Sequence, residues 1–221
     1  MWSEKNLCFP KIMEDMTRRL RNTFIHSKLY LWKREYLGKA VTDGQTLIMH
    51  HFQKEKLDDR FDIYRGKEIL KDRLDAGYTG YWFEYNNTFV HAHWYSSGQH
   101  DIWDTRCMLV IPPNALYIFD GYTSPEYRRK GFVTKALEAS CSDMFSSNQG
   151  MLFCLTQPKN VLVTPALAKI GFKRYGEINM WQAPPFRYHI IQIGVHIQRH
   201  MRLMNLRNSP LPINLEKTSL S

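Results

Sequence analysis

One segment of the chain, Ala115 to Phe132 (ALYIFDGYTSPEYRRKGF), combines an apolar run, a polar turn and a basic stretch that ends in glycine. The apolar run Ala115 to Phe119 is typical of a buried strand. The stretch from Arg128 to Gly131 precedes a helical pattern, and the first amides of a helix are unpaired at its positive dipole end. Gly131 removes the Cβ that would hinder an anion, and the three cations add charge-assisted contacts. The segment predicts a phosphate-binding turn.

The elements after this turn would hold it in place. Six small or apolar residues recur with the helical period: Val133, Ala136, Leu137, Ser140, Cys141 and Met144. Met151 to Thr156 is typical of a second buried strand. Thr164 and Pro165 predict the start of another helix that ends near Gly171, and Phe172 to Trp181 predicts a further strand.

The first hundred residues carry weaker patterns. They indicate a helix from Met13 to Phe24, strands at Lys28 to Tyr36 and Leu47 to Phe52, and a charged helix from Arg65 to Ala76 that ends at Gly77. Because no proline- or serine-rich linker interrupts the chain before residue 183, we predict one domain over residues 1–185.

A hairpin is the clearest feature of this half. Tyr81 to Tyr85 and Phe89 to Tyr95 flank Asn86-Asn87, a pair that tolerates the positive φ of a tight turn. On the second strand, alternation places Phe89, His91, His93 and Tyr95 on one face. Two histidines spaced so could bind a metal, but no third ligand is recognisable and we predict no metal site. They could line an acceptor pocket, or be half-exposed residues of an aromatic face.

Two short motifs of the chain resemble those of a known protein family. Arg128-x-x-Gly131 after Ser124 to Tyr127 resembles motif A of the GCN5-related N-acetyltransferases (GNAT), and Asn160 followed by Lys169-x-Gly171-Phe172 resembles a later motif of that family. The resemblance implies an α/β (α+β) fold with a mixed, mostly antiparallel sheet flanked by helices. It also implies a V-shaped opening between two central parallel strands, and acyl transfer from acetyl-CoA or another acyl-CoA.

The resemblance further implies where the coenzyme lies. Pantetheine would pair with the strand Tyr117 to Thr123, and the pyrophosphate would bind backbone amides of Arg129 to Thr134. The implied cofactor-binding residues are Ile118, Phe119, Gly121, Thr123, Arg128, Arg129, Lys130, Gly131, Phe132, Val133, Thr134 and Asn160.

Two positions depart from the family pattern. Val133 occupies a place where a small residue is usual, although backbone amides could still bind the pyrophosphate there. Leu167 stands where many members carry a tyrosine that protonates the leaving thiolate. Because a thiol has a pKa of about 8.5, its thiolate is a tolerable leaving group. Another residue could therefore donate the proton, or no proton donor is needed.

An amine must lose a proton before it attacks a thioester, which calls for a base. We predict Asp120, at the end of the strand that would hold the thioester and on one face with Ile118 and Tyr122. Partial burial would then raise its pKa into a useful range; a turn aspartate is the alternative. Tyr122 could orient the acceptor or protonate the thiolate, and Glu84 is a weaker candidate near the acceptor. A backbone amide between Gly121 and Thr123 would stabilise the oxyanion, by the same resemblance.

Composition agrees with an anionic partner. The formal net charge is +9 and the isoelectric point about 9.4, which suits coenzyme A. No interleaved basic and aromatic repeat or zinc-finger spacing supports nucleic acid, and we expect none. No apolar run approaches the roughly 20 residues of a membrane span. Charges interrupt any secretory signal, and four cysteines form no CxxC pair, so we expect a cytoplasmic protein with free thiols.

The C-terminal residues 186–221 extend beyond a minimal domain. Phe186 to Ile197 predicts a last strand. Four basic residues then alternate with Met201, Leu203, Met204 and Leu206, which predicts an amphipathic helix. Such a helix would pack on its own domain or dock on a partner, and a homodimer is one assembly left open.

Three functions are compatible with these observations. The first is an N-acyltransferase that acylates a primary amine of a small molecule or amino sugar in a ternary complex. The second is a protein or aminoacyl N-acyltransferase. The third is a non-catalytic module that binds CoA or RNA.

Overall fold

A large mixed sheet with helices on both sides forms the molecule. The computed structural model describes residues 25–36, 47–102, 106–145, 150–160, 163–183, 186–194, 196–203 and 210–215. The described strands, β1 to β12 in chain order, are Ile25–Tyr36, Ile48–His51, Thr79–Tyr85, Thr88–Ser96, Gln99–Ile102, Cys107–Val110, Ala115–Thr123, Gly150–Thr156, Lys173–Ala183, Phe186–Ile193, His196–Leu203 and Leu211–Asn214. The described helices are α1 (Lys67–Asp75), α2 (Phe132–Phe145) and α3 (Val163–Lys169). The predicted helix from Met13 to Phe24 lies outside the described residues.

Nine strands form the main sheet in the order β11-β10-β9-β1-β8-β7-β4-β3-β2. Every neighbouring pair in it is antiparallel except β7 with β8. A smaller sheet of β12, β6 and β5 covers part of one face. The mostly antiparallel α/β architecture with one central parallel pair is confirmed.

The parallel pair contains the predicted opening. β7, α2 and β8 form a crossover unit in which a helix returns the chain to a parallel neighbour. The ladder between β7 and β8 runs only from Ala115↔Met151 to Ile118↔Cys154, although β7 continues to Thr123 and β8 to Thr156. The two strands therefore separate beyond Ile118.

Three apolar clusters fix the layers. On one face, α2 and α3 pack on the sheet through residues such as Phe132, Ala136 and Leu167. On the other face, α1 and the turns before it cover β3 and β4, with Phe61 and Leu70 fully buried. The small sheet covers the other half of that face. We call these the α2 face and the α1 face.

In the main sheet, β1, the first described strand, lies between β8 and β9. β1 pairs antiparallel with both neighbours. A half-buried ion pair between Arg34 and Glu138, 2.5 Å apart, ties β1 to α2. Trp32 Nε1 donates to Thr156 Oγ1 over 2.9 Å, which ties β1 to the end of β8. β1 thus supports one side of the opening.

The predicted C-terminal helix is wrong over residues 199–203, and residues 204–207 of that prediction lie outside the described residues. His196–Leu203 forms β11, which pairs with β10 along its whole length, and the predicted strand Phe186 to Ile197 is divided, with its first part ending at Ile193. Gly194, at φ +56°, makes the intervening turn. The mixture of basic and apolar residues in this segment is compatible with the period of a helix or of a strand. It forms a strand because the edge of β10 offers unpaired backbone groups. Exposed Arg199 on this outermost strand hinders further pairing.

Candidate functional site

The basic glycine turn lies between the end of β7 and the start of α2. Pro125–Tyr127 forms a single 3-10 turn, and Arg128 Nε donates to the Thr123 carbonyl over 3.1 Å, closing the loop. Arg129 and Gly131 have φ of +64° and +81°, whereas Phe132 begins the helix. Alternating backbone handedness turns successive amides to one side and makes an anion-binding concavity.

The turn has room for a phosphate. A Cβ built on Gly131 meets nothing within 4 Å, and Arg128, Arg129 and Lys130 are exposed. The Phe132 ring lies 5.2 Å from Tyr85 and 5.6 Å from Tyr127 in the core, so only its backbone could face the ligand. Val133 and Thr134 are half-buried in the first helical turn. Backbone amides together with exposed cations suit a pyrophosphate.

A bulge interrupts β7 where it leaves β8. Ala92 pairs with Tyr122 and Trp94 with Phe119, so that Asp120 and Gly121 together oppose His93. Asp120 has φ +47°. A bulged strand loses its simple alternation. The prediction that Asp120 shares a face with Ile118 is therefore wrong: Ile118 packs in the α2-face core, and Asp120 points to the α1 face with Tyr122.

Three side chains surround Asp120 on the α1 face, Tyr64, Arg65 and Arg73, and together with Asp120 we call them the arginine cluster. Arg65 donates to both carboxylate oxygens, Nη2 to Oδ1 over 2.6 Å and Nε to Oδ2 over 3.1 Å. Arg73 Nη1 lies 2.5 Å from Oδ2. The Tyr64 hydroxyl donates to the Asp120 carboxylate and lies 2.8 Å from its backbone carbonyl. The carboxylate is held by three side chains at once.

These partners set the charge of Asp120. Burial alone would raise the pKa of this carboxyl, but the hydrogen bonds and charges of Arg65 and Arg73 outweigh it and hold the pKa below its ordinary value. The predicted rise in pKa is therefore wrong. A carboxylate that is ionised and occupied by donors is a weak base. The sequence did not indicate Arg65 or Tyr64, because both lie more than fifty residues from Asp120.

The α2 face carries a different arrangement, which we call the histidine chain. Its hydrogen bonds run in order through Thr123, His91, His93, Ser140 and Tyr95, over 2.8, 3.1, 2.8 and 2.7 Å. Ser140 Oγ also donates to the α2 carbonyl of Ala136. The chain connects the rim of the opening to the middle of α2.

The two histidines are fully buried, at 2% and 1% exposure, so the prediction of half-exposed rings is wrong. Burial lowers the pKa of His91 to about 3, partly offset by a hydrogen bond with the Tyr122 backbone, and lowers that of His93 well below its ordinary value. A neutral imidazole has one donor and one acceptor nitrogen, so both rings are satisfied without charge. Phe89 turns to the other face, since the pairing of β3 with β4 slips beside it.

Asn160 and α3 follow the end of β8. The α3 position at which many family members carry a tyrosine is occupied by Leu167. Asn160 is exposed in the turn before α3, where its carbonyl accepts from Val163 N over 3.2 Å. Leu167 is buried among α2-face residues, at 6% exposure. Its place in the core explains why an apolar residue stands there.

Glu84 lies apart from the opening. It is on β3, two strands from β7, and its carboxylate is 3.7 Å from His50 Nε2. His50 stacks on Trp82 at 4.0 Å beside a cavity of about 410 Å³ whose lining includes Lys56 and Arg60. The structure therefore does not bring Glu84 together with the other predicted site residues.

Two properties of the described residues bear on membrane insertion and metal binding. No described helix is long and apolar enough to cross a membrane. Within the same part of the chain, no group of three or more histidine, cysteine or acidic side chains is arranged around a common metal position.

Comparisons with known proteins agree with this geometry. The profile of the Acetyltransferase (GNAT) family matches residues 45–172. No curated protein matches the sequence. A functionally unknown conserved protein of Staphylococcus epidermidis has a similar structure at 13% identity and a TM-score of 0.52, over 86% of this chain and 69% of that one.

Two further solved structures are more distant. A GCN5-related N-acetyltransferase from Kribbella flavida is 12% identical with a TM-score of 0.48, over 76% of this chain and 63% of that one. The chain thus spans less than two thirds of the Kribbella protein. A predicted acetyltransferase from Clostridium acetobutylicum, solved with acetyl-CoA, is 14% identical with a TM-score of 0.38, over 58% and 90%.

Proposed function

The chain belongs to the GNAT acetyltransferase family, since the family profile covers more than half of it, and we propose that it transfers an acyl group from an acyl-CoA to a primary amine. The observation that carries this proposal is the opening between β7 and β8 beside the glycine turn. Acetyl is the simplest donor group, and a small molecule or amino sugar is the proposed acceptor. Membership of an acetyltransferase family supports the choice of donor.

The coenzyme would be held by backbone groups. Amides from Arg129 to Thr134 would bind the pyrophosphate, with the exposed cations Arg128 and Lys130 beside them. The edge of β7 from Phe119 to Thr123 continues past its ladder with β8, so it can pair with pantetheine instead. The histidine chain holds the Thr123 side chain from the α2 face and keeps this edge in place.

The proposed chemical step is direct. The neutral amine nitrogen attacks the thioester carbonyl, the C–N bond forms, the C–S bond breaks, and coenzyme A leaves as a thiolate. The amine proton passes to water or to the thiolate. The α2 face is covered by α2 and would also take the coenzyme, so the acceptor would approach from the α1 face, where Tyr122 lies half-buried 5.4 Å from the Tyr64 ring. Tyr122 would orient the acceptor there.

Ligand-induced stabilisation tests the coenzyme site. Acetyl-CoA, longer acyl-CoAs and CoA at about 100 times the dissociation constant should each stabilise the protein by roughly 2.7 kcal/mol, visible as a shift of a few degrees. Gly131→Glu should abolish the shift, because it adds a side chain and negative charge at the phosphate position. Gly98→Glu is the matched control, since Gly98 also has positive φ (+69°) and open space around its Cβ. Equal shifts in both variants would overturn the phosphate site.

A further inference from the structure

We propose that the arginine cluster selects amine acceptors that carry a second, anionic group, a carboxylate or a phosphate, and disfavours amines without one. This inference rests on the proposed acyl transfer and specifies its substrate class.

The cluster lies where β7 leaves β8, which is where the proposed thioester would be held. Asp120 lies two residues beyond Ile118, the last β7 residue paired with β8. Its carboxylate points to the α1 face, opposite α2 and the phosphate-binding turn. An acceptor that reaches the opening from the α1 face must therefore pass Arg65, Arg73 and Tyr122.

The charges of the cluster do not balance. Arg65 and Arg73 contribute two positive charges, and Asp120 contributes one negative charge. The pKa of Asp120 is held low, so the carboxylate stays ionised and the cluster keeps a net charge of +1 at neutral pH. An anionic group on the acceptor would complete the balance, because half-buried charges are stabilised by pairing.

Arg65 has the donors to make that contact. A guanidinium has five N–H donors, and Asp120 takes one from Nε and one from Nη2. The Arg65 side chain is 45% exposed, so its outer donors can be reached from solvent. Arg73, at 17% exposure, packs over the Trp94 and Phe119 rings and holds the far side of the carboxylate. Arg65 is the contact residue, and Arg73 is a positioning residue.

The same positive charge assists the chemistry. Before the anionic group pairs with Arg65, the net charge of +1 disfavours a second cation nearby, so an approaching ammonium group has a lowered pKa and loses its proton to water more readily. The anionic group then anchors a molecule whose nitrogen has become a neutral nucleophile. This arrangement does not require Asp120 to accept the proton itself.

Paired acceptors test the inference. We would measure thiol release from acetyl-CoA with glycine against glycinamide, and with glucosamine 6-phosphate against glucosamine. Each pair differs in one anionic group, and the two pairs distinguish carboxylate from phosphate. We expect kcat/KM to be at least ~10-fold higher for the anionic member of one pair, and the preference to weaken as salt rises.

Variants then connect the preference to the cluster. Arg65→Gln should raise KM for the anionic acceptor at least ~10-fold with little change for the neutral one, and Arg65→Lys should restore part of the preference because it keeps the charge. Arg60→Gln is the matched control: Arg60 is 51% exposed, pairs with Asp58, and lies over the Trp82 ring on the same face. It should leave the preference unchanged.

The outcomes separate this inference from the proposed function. Acetyl transfer with no preference for anionic acceptors, or a preference that Arg65→Gln leaves intact, would overturn the inference and leave the acyltransferase standing. No transfer to any amine, with acetyl-CoA bound, would overturn both. A preference lost equally in Arg65→Gln and Arg60→Gln would show a general surface charge effect and would also overturn it.

Discussion

The two faces of β4 and β7 treat ionisable side chains in opposite ways. On the α1 face, Asp120 keeps its charge because Arg65 and Arg73 pair with it. On the α2 face, His91 and His93 lose theirs because burial among apolar residues lowers the pKa of both. The two arrangements are on adjacent strands, and both are anchored at the end of β7.

This difference in charge indicates which face of the sheet can select a substrate. A chain of neutral, fully buried groups holds strands and helix together, but it presents no charge to a ligand. A partly exposed cluster with one unbalanced charge can bind a ligand of opposite sign. In the proposed reaction, the α2 face would therefore hold the coenzyme-binding edge of β7 in place, and the α1 face would recognise the acceptor.

The largest expected effect comes from cutting the histidine chain. His93→Ala would remove one hydrogen-bond partner from His91 and one from Ser140, and would open a cavity beside α2. We expect a loss of about 3 kcal/mol in the free energy of unfolding, measured by denaturant titration, with no change in acceptor preference. His196→Ala, at an exposed histidine of β11, is the control and should stay within about 0.5 kcal/mol. A stable His93→Ala protein with altered preference would break the comparison.

Asp120→Asn should have a smaller effect on stability, about 2 kcal/mol, because Arg65 and Arg73 lose their carboxylate but Arg65 remains partly hydrated. If Asp120 only positions the arginines, KM for the acceptor changes and the pH dependence of kcat keeps its acidic limb. The role of general base, which the sequence predicts, would instead require a loss of at least ~100-fold in kcat and of that limb. The second result would reassign the α1 face from recognition to proton transfer.

The third contrast between the two faces is the pH range over which each of them loses stability. In the unfolded chain, His91 and His93 have the ordinary histidine pKa of 6.5 and bind protons below it, whereas in the folded chain they stay neutral. The free energy of unfolding therefore falls as the pH drops from 6.5 toward 3. The slope is up to about 1.4 kcal/mol per pH unit for each histidine. Asp120, whose pKa is lowered, contributes stability that is lost only as pH falls below about 3.8.

Denaturant midpoints at several pH values check this order. His100 and His50, whose pKa values are also lowered by burial, add to the slope in the same direction. Asp120→Asn should leave the slope between pH 6.5 and 4.5 unchanged, and His93→Ala should reduce it. A stability that is flat over this range would mean that the histidines are not buried and neutral.

Local sequence patterns predicted the structural features that are formed by residues close together in the chain. The Asn86-Asn87 turn has φ of +48° and +58° as expected, and the helix that follows Gly131 runs over the residues whose spacing predicted it. A glycine turn and a helix need only adjacent residues, so the sequence carries their signals in full.

The parts that depend on distant partners could not be predicted this way. The bulge at Asp120 arises from the register of β7 against β4. The bulge directs the Asp120 side chain to the face that carries Arg65 and Tyr64. Burial of His93 depends on Ser140, forty-seven residues away. Likewise, the strand at His196–Leu203 forms because β10 offers an edge, which no local period reveals.

Amine-dependent release of free thiol from acetyl-CoA by the wild-type chain, Gly131→Glu and Gly98→Glu tests the proposed acyl transfer and its phosphate site together. We expect release that requires an amine, is retained in Gly98→Glu and is lost in Gly131→Glu. Thiol release that Gly131→Glu leaves unchanged, or none from the wild-type chain with acetyl-CoA bound, would contradict it.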